Sequence, residues 1–138
     1  MILYNAYDVK MPVIPKRKIS NWIKQVAAKH QKRVVDITCI FCSDKKILEV
    51  NNEYLSHDYF TDIITFDYSE AARISGDMFI SIDTVRTNAE KYKVDYRQEL
   101  YRVIIHGILH LCGIDDKASG ARAIMERYEN EALACLLP

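Results

Sequence analysis

The chain has 138 residues, with 19 Lys+Arg balanced by 19 Asp+Glu, so its formal net charge is zero. That length suits one domain spanning 1–138 with a real core, and the charge balance removes any global electrostatic argument for a nucleic-acid partner. Met1 to Lys10 lacks a basic start and a long apolar run, and no stretch approaches the about 20 apolar residues of a membrane span; the expectation is a cytoplasmic protein with no membrane partner and reduced cysteines.

Residues 2 to 9 read as a first strand, and Pro12 and Pro15 then mark a break. A helix from about Pro15 to His30 places Ile19, Trp22, Ile23, Val26 and Ala27 on one face. Lys16, Arg17, Lys18, Lys24, Lys29, Lys32 and Arg33 are the only dense basic group, and such a run is ordinarily a solvated surface. Val34 to Cys42 alternates as a strand, with Val35, Ile37, Cys39 and Phe41 on one side. Cys39 and Cys42, three apart on it, point to opposite faces and are badly placed to share a metal or a disulfide. All four cysteines are read as small hydrophobes.

Ser43 or Asp44 caps a helix through Tyr54 that buries Ile47, Leu48 and Val50. Strands at Asp62–Tyr68 and Asp77–Asp83 follow, and Asp83 serves as N-cap for a helix to about Tyr92. Asp95 caps the next helix, which runs to Cys112 and stops at Gly113. A last helix from about Ser119 carries Ile124, Met125, Tyr128, Leu133 and Leu136. Two consecutive strands with the helices clustered elsewhere predict an α+β domain, a mixed sheet of about four strands packed with helices.

The chemistry concentrates in the stretch from Glu99 to Asp116. At about 100° per residue, Glu99, Val103, His106 and His110 share one stripe, while Leu100, Ile104, Ile105, Ile108, Leu109 and Leu111 cover most of the rest. A helix apolar nearly all round is buried, so two desolvated imidazoles on it need partners. Histidines four apart can converge on one ion, and Gly113 permits a left-handed turn that lets Asp116 return as a carboxylate ligand. Three protein ligands and an open position make a catalytic zinc site; Mn and Ni accept the same donors. Gly107 stands where a zinc peptidase of the HExxH type carries its base, which argues against peptidase activity.

These residues resemble the YbeY family of bacterial endoribonucleases. The family's His-Gly-x-Leu-His-Leu-x-Gly segment, followed by an aromatic residue, Asp and a third His, is matched by His106-Gly107-Ile108-Leu109-His110-Leu111-Cys112-Gly113-Ile114-Asp115-Asp116. Asn51-Asn52-Glu53-Tyr54 with Thr61-Asp62-Ile63-Ile64-Thr65-Phe66, and Gly76-Asp77-Met78-Phe79-Ile80-Ser81, are similar to two further motifs in the same order, and Glu99 matches the family's Glu before the histidines. The resemblance implies a YbeY-like metal-dependent hydrolase fold, one bound Zn2+, and single-strand-specific cleavage of ribosomal RNA. It also implies a role in maturing the 3′ end of the small-subunit RNA and in ribosome quality control, with rRNA and ribosomal components as partners. Two positions depart from the pattern: the third metal-binding His is Asp116, and the Arg that follows the position of Tyr54 is Leu55. His57 is close enough to substitute for that Arg, or is an ordinary loop histidine.

A zinc ion on His106, His110 and Asp116 would lower the pKa of a water toward about 7 and polarise a phosphoryl oxygen. With Gly at 107, Asp115 and Glu99 are the candidates for proton transfer. Asp115 is otherwise a turn residue, and Glu99 is otherwise a partner that bonds the His106 imidazole or a buried pair with an Arg. Thr61 and Asp62 either line a substrate cleft or cap their loop. The residues leave open an alternative, a ribosome-associated factor with a structural metal and little nuclease activity, and more remotely a hydrolase of another small phosphorylated or amide substrate.

Overall fold

A computed structural model describes residues 1–55, 61–114 and 116–136, with Leu55 described by its backbone alone. Among these the chain forms Ile2–Ala6 (β1), Lys16–Lys29 (α1), Arg33–Cys42 (β2), Asp44–Leu55 (α2), Ile63–Asp67 (β3), Arg73–Ser81 (β4), Ile82–Tyr92 (α3), Tyr96–Leu111 (α4) and Ala121–Leu136 (α5). The sheet runs β1-β2-β4-β3, with β1 and β4 both parallel to β2 and β3 antiparallel to β4. It is the mixed four-stranded α+β arrangement that the element order predicts.

The alternation in β2 and β4 decides how the two faces are used. Ile37, Cys39 and Phe41 of β2 lie in register with Gly76, Met78 and Ile80 of β4, and these join α1, α4 and α5 in the main core. Cys42 falls on the other face with Ile64, Ile47 and Val50, where α2 and the half-buried Phe66 and Phe79 close a smaller cluster. Cys39 and Cys42 therefore occupy different clusters, as their spacing requires. Cys112 is buried too, but Cys135 is exposed and accepts a contact from the Lys29 ammonium at 3.2 Å, so only three cysteines behave as core hydrophobes.

Three boundaries correct the sequence reading. β4 begins at Arg73 rather than Asp77, because Arg73 and Ile74 pair with Arg33 and Val34 at the start of β2. It also ends at Ser81, so Ile82 and Asp83 are already helical; Ser81, not Asp83, is the N-cap of α3, its Oγ accepting the Thr84 N–H at 3.2 Å. Asp95 occupies the N-cap position of α4 without a capping side-chain bond. In α5, which follows the left-handed Gly120 (φ 80°), Ile124 is exposed and the buried stripe is Met125, Glu129, Ala132, Leu133 and Leu136.

Helix α4 presses on the sheet at a point where only glycine fits. A Cβ on Gly107 would lie 2.4 Å from the Met78 sulfur and 2.8 Å from Ile63 Cδ1. That approach sets His106 beside the β3 end of the sheet. Among the described residues no helix is long and apolar enough to cross a membrane.

Candidate active site

The histidine stripe of α4 forms one wall of a cleft of about 810 Å³. Its lining includes Asn51 from α2, Thr61 and Asp62 at the entry to β3, Asn88 and Tyr92 from α3, Glu99, Arg102, His106 and His110 from α4, Asp116, and Glu126 and Glu129 from α5. The structure thus gathers six residues singled out from the sequence: Thr61, Asp62, Glu99, His106, His110 and Asp116. His57 and Asp115 lie outside the described residues. None of the basic residues of α1 lines the cleft; its cations are Arg102, Lys117 and Arg122.

Gly113, in the left-handed region at φ 94°, ends α4 and turns the chain back. That return brings Asp116 Oδ2 to 3.3 Å from His106 Nε2. On the other edge of the same ring, Nδ1 lies 2.7 Å from Glu129 Oε2. The second Glu129 oxygen accepts from the Arg102 guanidinium at 3.0 Å, and Arg102 also donates to Asn130 Oδ1 at 2.9 Å. The partner of His106 is therefore Glu129, not Glu99. Glu99 stands seven residues earlier on the same helix, a rise of about 10 Å, which a carboxylate cannot span. Nor is Glu99 the ion-pair partner of an Arg, since Arg102 turns to Glu129. Sequence reasoning missed Glu129, although a signal was present: a carboxylate four residues after Met125 and three and four before Ala132 and Leu133, in the middle of an apolar stripe.

The electrostatics follow from burial. Glu99 is 4% exposed; desolvation first, then the charges of Asp62 and Glu129, raise its carboxyl pKa against a weaker pull from Arg102. Asp62 is raised as well, by burial, with His106 and two backbone N–H groups opposing. For His106, burial would lower the pKa, but the Glu129 hydrogen bond and the charges of Glu129, Asp116 and Asp62 outweigh it and the net shift is upward. The cleft thus holds mutually repelling carboxylates around an imidazole, a donor set that suits a divalent cation.

The spacing of one donor pair also suits zinc. Two ligand atoms at tetrahedral angles on one ion are about 3.3 Å apart for ordinary Zn–N and Zn–O bonds, and His106 Nε2 and Asp116 Oδ2 are 3.3 Å apart. The same separation serves an ion pair when the imidazole is protonated. His110 lines the wall beside them, but among the described residues no three His, Cys, Asp or Glu side chains are grouped closely enough to hold a metal. The donor chemistry and one donor pair fit the ion; the third ligand is not drawn in.

The sequence comparisons agree with one another. The family model for endoribonuclease YbeY matches residues 5–136. A protein named endoribonuclease YbeY from Phocaeicola vulgatus is 64% identical, covering 99% of this chain and 99% of its own. One of the same name from Parabacteroides distasonis is 63% identical, covering 98% of this chain and 95% of its own. A Thermotoga maritima protein solved in solution superposes with a TM-score of 0.64 at 24% identity, over 97% of this chain and 90% of that one, which shows a shared fold. A family match over nearly the whole chain, with relatives at this identity, has one reading: the chain belongs to the endoribonuclease YbeY family.

Proposed function

We propose that the chain is a zinc-dependent, single-strand-specific endoribonuclease that acts in the cytoplasm on ribosomal RNA, in maturation of the small-subunit 3′ end and in ribosome quality control. Family membership supports the hydrolase of RNA phosphodiester bonds. The observation that carries the metal and its place is the His106 imidazole held between Glu129 and Asp116 in a carboxylate-lined cleft. His106, His110 and Asp116 would hold the ion. When bound there, it supplies a water of lowered pKa and polarises a phosphoryl oxygen.

The chain's own groups do the rest. Glu99, its carboxyl pKa raised above the usual value by burial, is suited to taking a proton in the cleft and returning it. Asp62 and Thr61, at the entry to β3, position the RNA strand, and Lys117 and Arg122 meet its phosphates. Exposed Tyr92 offers a ring on which an unpaired base can stack.

The test uses protein freed of host nucleases. Cleavage of single-stranded RNA should stop with a chelator and return with zinc, and His110→Ala should lose at least about tenfold in metal affinity together with its activity. Undiminished cutting by His110→Ala sinks the assignment. The second reading, a structural metal in a ribosome-associated factor, draws on the zero net charge and on Leu55 at the position of the family's Arg. It gains if chelation unfolds the chain and zinc restores folding but no cleavage.

A further inference from the structure

We infer that Glu129 is a positioning residue that fixes which nitrogen of His106 is free to ligate, and that Arg102 in turn fixes the orientation of Glu129. The inference rests on the reading of His106 as a metal ligand and adds a group from a different helix. Glu129 lies in the buried stripe of α5 at 8% exposure, and both of its oxygens are engaged: Oε2 with His106 Nδ1 at 2.7 Å and Oε1 with Arg102 at 3.0 Å. A carboxylate only accepts, so the Nδ1 it faces carries a proton. A neutral ring has one proton for two carboxylates, and the shorter contact, 2.7 Å to Glu129 against 3.3 Å from Nε2 to Asp116 Oδ2, keeps it on Nδ1 and leaves the lone pair on Nε2.

Arg102 makes the arrangement directional. A guanidinium only donates, so the side chain at 129 must present an oxygen to it. Glu has a second oxygen left for Nδ1. Gln, the same shape, has only its NH2 left; that group donates to Nδ1, moves the ring proton to Nε2 and blocks the ligating lone pair. The closest substitute in shape is therefore the worst. An Ala at 129 leaves Nδ1 to water and imposes no tautomer. Were Glu129 only filling space and pairing with Arg102, the ranking would be the reverse, with Gln mild and Ala severe.

The experiment titrates Zn2+ by calorimetry into the metal-free chain and its variants and reads the His106 tautomer from imidazole 15N NMR at a pH where the ring is neutral. The wild type should show Nδ1–H. Glu129→Gln should show Nε2–H and bind zinc about 10–100-fold more weakly, Glu129→Ala should fall between them, and Arg102→Met in the Gln background, which lets the amide turn its oxygen to Nδ1, should recover affinity. Wild-type Nε2–H, or a Glu129→Gln variant that binds as well as the wild type or better than Glu129→Ala, overturns the inference. If Glu129→Gln does not fold, the wild-type tautomer decides alone. If the wild type binds no zinc, the proposed metal function fails while the tautomer still judges Glu129.

Discussion

Asp8, Asp44 and Asp83 gather around the residues that end β2 and β4, and each of them accepts hydrogen bonds from nearby donors. Asp8 takes the Ser43 amide at 2.8 Å and the Ser43 hydroxyl at 2.5 Å. Asp44 takes the Ser81 and Thr84 hydroxyls at 2.6 and 2.5 Å, and Asp83 takes the Asp44 amide at 2.9 Å. In the cleft, Glu99 stands instead among the charges of Asp62 and Glu129, and Asp62, although two backbone N–H groups serve it, is buried beside Glu129. The pKa directions differ accordingly. Slight burial would raise Asp8, but its Ser43 bonds bring it below the usual carboxylate range, whereas burial pushes Asp62 and Glu99 up. Carboxylates of the first kind hold loops and helix starts in place. Those of the second kind carry their charge in the fold at a cost to stability, because burial disfavours the ionised form.

The sharpest break of that contrast is Asp44→Ala. Ser81 is fully buried, and losing the acceptor strands its hydroxyl and that of Thr84, joining β4 and α3 to the start of α2. Urea unfolding should show a loss of about 2–3 kcal/mol, with RNA cleavage per folded molecule unchanged. A loss below about 0.5 kcal/mol would make this cluster a surface feature, like an ordinary exposed site.

Gly107→Ala comes next and acts on the cleft side. The added methyl meets Met78 and Ile63 inside a packed layer, and overpacking of this kind costs about 1–3 kcal/mol, partly offset by the up to about 1 kcal/mol by which Ala favours a helix over Gly. The expected net loss is about 1–2 kcal/mol, with cleavage reduced further than the folded fraction explains, because the shift of α4 displaces His106. Net stabilisation in urea would show that the close approach of α4 to β4 constrains nothing.

Much of this was legible in the chain, for identifiable reasons. Periodicity gave the elements because α1 and α4 bury continuous stripes and β2 alternates from Ile37 to Phe41. The β4 start was obscured because Arg73 and Ser75 are polar, and parallel pairing to β2, which local pattern does not encode, is what makes them strand. The α3 cap was displaced for a related reason: Asp83 and Ser81 are both good caps, and the length of β4 chose between them. In the site, the His106/His110 spacing and the turn at Gly113 were local signals, and they point to the cleft that Thr61, Asp62, Glu99 and Asp116 also line. Glu129 reaches His106 across 23 residues through helix packing, so its role could be read only once α5 was laid against α4.

The smallest effect has the most informative sign. Asp62 has a folded pKa above its unfolded value of about 3.9. Below that pH the carboxyl is protonated in both states and nothing is lost. As pH rises through the raised folded value, the folded state must carry a buried charge that the unfolded chain carries freely, so stability falls and stays lowered at neutral pH. Asp62→Asn removes that charge. In chelator, the variant should be more stable than the wild type at pH 7, by about 0.5–1 kcal/mol, a size common when functional strain is relieved, and the gap should close as the pH drops below about 4. Cleavage with zinc present should fall by roughly tenfold or more, equivalent to about 1.4 kcal/mol of transition-state binding. Denaturant midpoints at the two pH values decide it. A variant less stable than the wild type at pH 7 would place Asp62 with Asp8 and Asp44, among carboxylates satisfied by the fold. The contrast between the two clusters would then be one of position, with no difference in kind.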